Sequence, residues 1–373
     1  MAAALALTVS GCSAPVTDPA APEEVEPRLP APQVVQELVD ELLTEEGVPA
    51  GVVLIAGPDG DETLVEFGSA GDAPLDEAVF AYRSITKSFI GTLILQLADE
   101  NLVDLGAPVS DFVAGVPGGD AVTLTQLATM RSGLPNYSAS PRLGPALLAD
   151  PQAEPDVATL LDLAFDEPAT AAPGEEYEYS NTNTLLLGEV IAEVTGMTWD
   201  AAVSERVLRP LGLTSVSYGF KTPAHDQVGY QLQSYSAPEE LPSVAAGWFG
   251  AAGALTGDIR DLAEWGRALG TGATISSDSQ ALRLSQFGSI DADSASPMYD
   301  SYGFAIGEID GWVGHTGAGL GFQSLVMYDP LSEYVVAVLV NGTGEDQNLP
   351  ARLFTALLSA SGDGSDDLVS TPR

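Results

Sequence analysis

Lysine is almost missing from this chain. Only Lys87 and Lys221 occur in 373 residues, and Lys and Arg together number 13 against 53 Asp and Glu, a formal net charge of −40. A surface of that sign repels phosphate backbones and anionic lipid headgroups, which argues against nucleic acid as a partner. Cysteine occurs once, as Cys12, so neither an internal disulfide nor a cysteine-based zinc site can form. Histidine is limited to His225 and His315, and the chain has no G-x-S-x-G elbow and no H-E-x-x-H pair. Two common hydrolytic schemes are thereby set aside. The acidic run "DADSASPMYD" from Asp291 lacks the glycine and the terminal glutamate of a calcium loop and reads as plain acidic surface. Beyond the N-terminus no stretch of about 20 apolar residues appears, so no membrane-spanning helix is expected.

What is present describes an exported globular protein. With 45% hydrophobic and 18% charged residues, the chain can bury a substantial core. Residues 2–9, "AAALALTV", are apolar but too short to span a bilayer, and "SGC" follows them. "VSGC" resembles the lipobox of bacterial lipoproteins, which implies lipidation at Cys12 and a protein exported and anchored outside the cytoplasmic membrane. No Lys or Arg precedes the apolar run. Residues 1–11 are thus expected to be the end of an export signal and 12–32, rich in Ala, Pro and Glu, a solvated tether. The polar stretch 361–373 is expected to be a disordered tail.

Between these ends lies one expected domain, 33–360. "PQVVQELVDELLTEE" spaces Val35, Leu38, Val39, Leu42 and Leu43 as an amphipathic helix. "GVVLIAG" and "ETLVEFG", separated by "PDGD", read as a β-hairpin, and "FQSLVMYDP" with "EYVVAVLVNG" as another strand pair before a closing helix, "ARLFTALLSA". The middle, about 100–245, shows helical periods broken by Pro and Gly. The predicted fold is α/β plus α. Residues 33–99 and 246–360 supply an antiparallel sheet flanked by N- and C-terminal helices, and a mainly helical region is inserted between them.

Three short motifs carry chemistry. In "YRSITKSFIGTLILQLADE", Ser84 and Lys87 stand three residues apart at the mouth of an apolar helix, so hydroxyl and amine share one face. Burial there lowers the amine's pKa and makes it a base toward the hydroxyl, while the helix N-terminus favours an oxyanion. "PGEEYEYSNTNTLLLGEV" places Tyr179, Ser180 and Asn181 on a loop entering a helix. A phenol can relay a proton and a carboxamide can hold a substrate amide. "GWVGHTGAGLGFQS" puts His315, Thr316 and Gly317 on a β-run whose glycines allow close approach to the backbone.

In this order the motifs resemble the S-x-x-K, Y-x-N and H-T-G signatures of the serine β-lactamase and penicillin-binding-protein family. The likeness runs from about residue 33 to 358 and includes "TLTQLATMRSGLPNY", "GWFGAAGALTGDIRDLAEWGRAL" and "YGFAIG". It is strongest toward the streptomycete-type D-alanyl-D-alanine carboxypeptidases and their class C β-lactamase relatives. The resemblance implies that Ser84 is acylated, that Lys87 and Tyr179 share the proton transfers, and that Asn181 orients the substrate amide. His315 would stand where the third motif usually has lysine, maintaining the proton network or meeting a substrate carboxylate. The amides of Ser84 and Ala318 would form an oxyanion hole beside Thr316 and Gly317, with Trp248 lining the pocket. It also implies a monomer that acts on a small-molecule or peptide substrate and needs neither cofactor nor metal.

Two departures bear on the substrate. No asparagine lies between Asn136 and Asn181, so the Glu-x-x-x-Asn water-activating loop of class A β-lactamases is missing from its usual region. Before the third motif, where the carboxypeptidases carry an arginine for the substrate carboxylate, stand Glu308 and Asp310. Esterase or amidase action on a neutral acyl substrate is therefore the alternative to carboxypeptidase action. A non-catalytic surface binding protein of the same fold is a further one.

Overall fold

The computed structural model describes residues 29–69, 74–221, 225–233, 237–290 and 297–362. Cys12, the export segment, nearly all of the expected tether, the tail beyond 362 and Asp291 lie outside the described residues.

An antiparallel sheet of eight strands forms the frame. In spatial order its strands are Glu62–Gly68, Ala50–Ala56, Val335–Val340, Phe322–Tyr328, Trp312–Gly319, Gly307–Ile309, Ser301–Tyr302 and Gly288–Ser289. Strands from the two ends of the domain thus lie side by side, second and third in the sheet, where Gly51–Ala56 pairs with Val335–Val340. "VVAVLV" is buried on both faces because both faces are covered. Its alternating side chains divide between two cores: Val335, Ala337 and Leu339 enter one, Val336, Val338 and Val340 the other. The helices Pro32–Glu45 and Leu349–Gly362 pack together on the second face, where Val35, Val39, Leu43, Leu353, Phe354 and Leu357 are buried. The helix Ile259–Thr271 covers the first face with Leu262, Trp265 and Leu269.

Between the sheet and the helical region runs the central helix Thr86–Asp99, buried continuously from Thr86 to Leu95. The hydroxyls of Thr86, Ser88 and Thr92 all find hydrogen-bond partners within the fold, as burial requires. Ser88 Oγ donates to the Ile85 carbonyl (2.6 Å) and accepts from Trp265 Nε1 (2.9 Å), and Phe89 stacks on the Trp265 ring at 3.8 Å. Gly91 is required by packing: a Cβ there would lie 2.4 Å from Ala305 Cβ. The "YGFAIG" run is consequently not one strand. It breaks between Tyr302 and Gly307, where Ala305 takes a left-handed conformation and sits against the central helix.

The inserted region is mainly helical, as its sequence predicts, with Val157–Phe165 and Asn181–Thr195 as its longest helices. It also contributes short strands at Ser217–Tyr218, Tyr230–Gln231 and Glu239–Glu240 to two three-stranded sheets. Among the described residues no helix is long and apolar enough to cross a membrane.

Candidate active site

Ser84 lies in a single 3₁₀ turn, Arg83–Ile85, that leads into the central helix. Lys87 follows three residues later in the first turn of the helix, so the Ser84 hydroxyl and the Lys87 side chain share one face. Lys87 Nζ is 2.9 Å from Ser84 Oγ and donates a 2.7 Å hydrogen bond to the Ala252 carbonyl. The side chain is fully buried and has no carboxylate partner among the described residues, and desolvation drives its pKa well below the usual lysine value.

Tyr179 approaches from the loop before the helix Asn181–Thr195, and its ring centroid is 5.0 Å from Lys87 Nζ. The residue is half-buried, but its hydroxyl is enclosed and makes no hydrogen bond of good geometry. Burial, with Tyr299 second, raises the phenol pKa well above its ordinary value, and the neighbouring Ser84 hydroxyl works against that rise. Burial therefore acts on the pair in opposite senses, favouring neutral amine and neutral phenol together.

Asn181 opens its helix. Its Nδ2 donates to Ser138 Oγ (2.8 Å) and its backbone N–H to Asn136 Oδ1 (3.1 Å). The turn before Tyr137 is fastened to the same helix, because Thr182 Oγ1 accepts from Tyr137 N and donates to the Pro135 carbonyl. The "SGL" turn and the "YSN" loop thus form one rigid wall.

The strand Trp312–Gly319 supplies the opposite wall. The Thr316 N–H donates to Tyr299 Oη (2.7 Å), away from the neighbouring strand Phe322–Tyr328. Amide directions alternate along a strand, so the Ala318 N–H issues from the same edge. That edge is open there, since the strand Gly307–Ile309 pairs only as far as Gly314.

His315 is fully buried beneath this wall. Nδ1 lies 2.6 Å from the Thr316 carbonyl, and Nε2 lies 3.1 Å from Tyr302 Oη. A carbonyl only accepts, so Nδ1 carries the proton and Nε2 accepts from the Tyr302 hydroxyl. Burial, reinforced by Lys87, lowers the His315 pKa from 6.5 to about 3. Enclosed and neutral, the ring has no path to a substrate carboxylate. Of the two sequence expectations for it, the geometry agrees with participation in the polar network.

These elements converge on a cavity of about 270 Å³ lined by Ser84, Asn136, Ser138, Tyr179, Asn181, Pro297, Thr316, Gly317, Ala318, Gln347 and Asn348. Trp248, expected on the wall, is not among them. It is 6% exposed within the main core, and its carbonyl accepts from Tyr137 Oη (3.0 Å). A tryptophan in an apolar Gly-Ala setting suits a core as well as a pocket, and here packing claims it. Glu308 likewise turns away. Its carboxylate accepts from Ser301 Oγ (2.6 Å) and the Gly311 N–H (2.8 Å) in the hairpin. Sequence reasoning missed Gln347 and Asn348, which nothing local distinguishes. It also missed Ser138, although "GLPNYS" leads directly into it.

Residues 35–360 match the family model described as Beta-lactamase. Penicillin-binding protein 4 of Amycolatopsis lactamdurans is 28% identical over 347 residues, 87% of this chain and 88% of that protein. Protein flp of Staphylococcus aureus (strain COL) is 26% identical over 276 residues, of which this chain spans 53% of the length. Among solved structures, a D-stereospecific amidohydrolase from Streptomyces sp. superposes with a TM-score of 0.77 at 25% identity, covering 88% of this chain and 98% of that one. With its fold, its family match and its enclosed Ser–Lys pair, the chain belongs to the β-lactamase family and is a serine hydrolase.

Proposed function

We propose that the protein hydrolyses an amide or ester with an uncharged leaving side, through an acyl-enzyme on Ser84. The observation that carries the substrate class is the cavity wall. Among the described residues its lining consists of neutral hydrogen-bonding groups and backbone, with no Lys, Arg or His to receive a carboxylate. A carboxylate entering a partly enclosed, acidic protein without a cationic partner meets a desolvation cost of several kcal/mol. A carboxamide or ester pays much less and finds donors and acceptors in Asn136, Asn181, Gln347 and Asn348. The likeness to a D-stereospecific amidohydrolase supports the same direction.

The residue roles follow from the protonation states that burial favours. Neutral Lys87 accepts the Ser84 proton as Oγ attacks the acyl carbon, while its N–H to the Ala252 carbonyl holds the amine in line. The oxyanion is met by the N–H groups of Ser84 and Ala318. As the tetrahedral species collapses, Tyr179 gives its proton to the leaving nitrogen or oxygen and recovers one from the Lys87 ammonium. Water then attacks the acyl-enzyme by the reverse sequence, restoring Ser84 with its proton. Asn181 orients the substrate amide, and His315 braces the strand through Thr316 and Tyr302.

The test compares a D-alanyl-D-alanine peptide bearing a free carboxylate with its C-terminal amide and methyl ester, and includes Ser84→Ala as control. Higher kcat/KM for the neutral substrates is expected. Preferred turnover of the carboxylate form would return the reading to a carboxypeptidase.

The working place proposed for this enzyme is outside the cytoplasmic membrane, supported by the apolar N-terminal run and "VSGC". Intact-mass analysis of the membrane-extracted protein, with Cys12→Ala as comparison, tests the lipid anchor.

A further inference from the structure

Arg83, the residue before the nucleophile, combines three features that packing alone does not explain. Its backbone is left-handed, φ +51°, a conformation that non-glycine residues rarely adopt. Its side chain is 7% exposed. It also forms none of the ion pairs found among the described residues, although the chain carries 53 acidic groups. Burial lowers its pKa to about 9, which leaves the group cationic at neutral pH. The guanidinium lies 4.0 Å over the Phe249 ring and 5.3 Å from that of Phe322. Its donors form a fork: Nε to the Gly319 carbonyl at 2.9 Å and Nη2 to the Leu320 carbonyl at 3.1 Å.

The segment that this fork grips matters for the reaction. Gly319, Leu320 and Gly321 all have positive φ, +144°, +40° and +85°, forming the tight turn that follows Ala318. Leu320 is a second left-handed non-glycine, bonded directly to the first. One residue earlier, Gly317 lies against the chain at Tyr82, where a Cβ would come within 2.3 Å of the Tyr82 carbonyl and 3.0 Å of Arg83 Cβ. Ser324 Oγ donates to that carbonyl at 2.7 Å. The segment 82–84, which supplies one amide of the oxyanion site, thus crosses the segment 317–320, which supplies the other. Arg83 joins the two.

We propose that Arg83 is a positioning residue for the hydrolysis: its two-carbonyl fork fixes the Ala318 amide relative to the Ser84 amide, so that both donors reach the same oxyanion. The inference rests on the reading of Ser84 as nucleophile. Lysine in its place keeps the charge but lacks the planar fork, and methionine fills the slot with no donor.

The experiment uses the parent, Ser84→Ala, Arg83→Lys and Arg83→Met, with an activated ester and its thionoester as substrates. An oxyanion site built for oxygen discriminates against the longer, weakly accepting sulfur, so the ester-to-thionoester rate ratio reports on the amides themselves. Acylation of the parent and not of Ser84→Ala, read by intact mass, establishes the underlying reading. A parent that does not acylate overturns both readings together. Given acylation, Arg83→Met is expected to keep a cooperative thermal transition and KM within about threefold, while kcat falls about 10- to 100-fold and the ester-to-thionoester ratio contracts. Arg83→Lys should show the same changes to a smaller degree. A folded Arg83→Met with parental kcat and parental ratio overturns the proposal, with the reading of Ser84 left standing. If Arg83→Met does not fold, the same two readouts on Arg83→Lys decide. If neither folds, Arg83 is a structural residue and the positioning role is lost.

Discussion

The ζ-nitrogen of Lys87 is held between two oxygens, the Ala252 carbonyl at 2.7 Å and Ser84 Oγ at 2.9 Å. An amine fixed in this way has one N–H committed to the carbonyl and its lone pair available to the serine hydroxyl once the ammonium proton is gone. The acylation rate should therefore follow the fraction of neutral Lys87. It should rise about tenfold per pH unit at low pH and level off at a pH well below the ordinary lysine range, because burial depresses this pKa. Stopped-flow acylation across pH measures the midpoint, and a rate still climbing near pH 10 would refute the assignment. Lys87→Met should slow acylation about 10²- to 10⁴-fold while leaving the thermal midpoint equal or higher, since a buried amine is costly to hold.

Tyr179 should separate stability from activity. Its buried hydroxyl makes no hydrogen bond of good geometry among the described residues, so Tyr179→Phe gives up only the contact with the Ser84 hydroxyl and should leave the unfolding free energy equal or raise it by up to about 1 kcal/mol. Loss of the proton relay should lower kcat about 10²-fold or more. Chemical denaturation and steady-state turnover of the one variant check both halves. A less stable but active Tyr179→Phe would mean that the hydroxyl is structural.

The motifs were legible because each is local. Ser84 and Lys87 share a turn, Tyr179 and Asn181 a loop end, and Thr316 to Ala318 a strand, so spacing alone places them together. The hairpins and flanking helices were legible for the same reason, through periods of two and 3.6. What holds the site was not legible. Arg83 finds its acceptors 236 residues away at Gly319, and Gln347 reaches a cavity whose nucleophile lies far away in the sequence at Ser84. Residue type also misled. Trp248 is expected on the wall and lies in the core, whereas the aromatics enclosing His315 are Tyr299 and Tyr302, which no motif singles out.

His315 should contribute to acid sensitivity. Its folded pKa of about 3 lies below the unfolded value near 6.5, so between these values the unfolded chain binds the extra proton. The stabilisation is present in full above about pH 6.5 and is lost as pH falls toward about 3. The slope from this group approaches roughly 1.4 kcal/mol per pH unit inside that window. His315→Leu should be less stable at neutral pH, because Tyr302 loses its acceptor, but should show a shallower decline on acidification. Urea midpoints of parent and variant at several pH values give the difference, and parallel curves would exclude a neutral buried imidazole.

Gly317 tests the spacing of the two walls by adding a single carbon. A Cβ at this position would lie 2.3 Å from the Tyr82 carbonyl and 2.5 Å from Ser324 Oγ, both fixed atoms of the crossing. Gly317→Ala must push the strand away from Ser84, at a stability cost of about 1–3 kcal/mol and a larger relative loss of kcat. Gly47→Ala serves as control, since its Cβ would meet open space while its positive φ, which Gly317 does not share, still imposes a backbone cost. Equal activity losses in the two variants would mean that the crossing does not govern the chemistry.

The neutral wall makes a prediction about gain rather than loss. Gln347 is exposed at the cavity rim, where a longer cationic side chain has room to reach a ligand. If exclusion of carboxylates comes from the missing cation, Gln347→Lys should lower KM for a free-carboxylate D-peptide several-fold. An interaction of about 1 kcal/mol is reasonable for a partly solvated pair, and raising the salt concentration should weaken the gain. KM for the corresponding amide should stay unchanged, because no charge is matched there. A variant that improves both substrates equally would point to cavity shape, and one that improves neither would mean that the carboxylate is rejected deeper in the site, near Asn181 and Thr316.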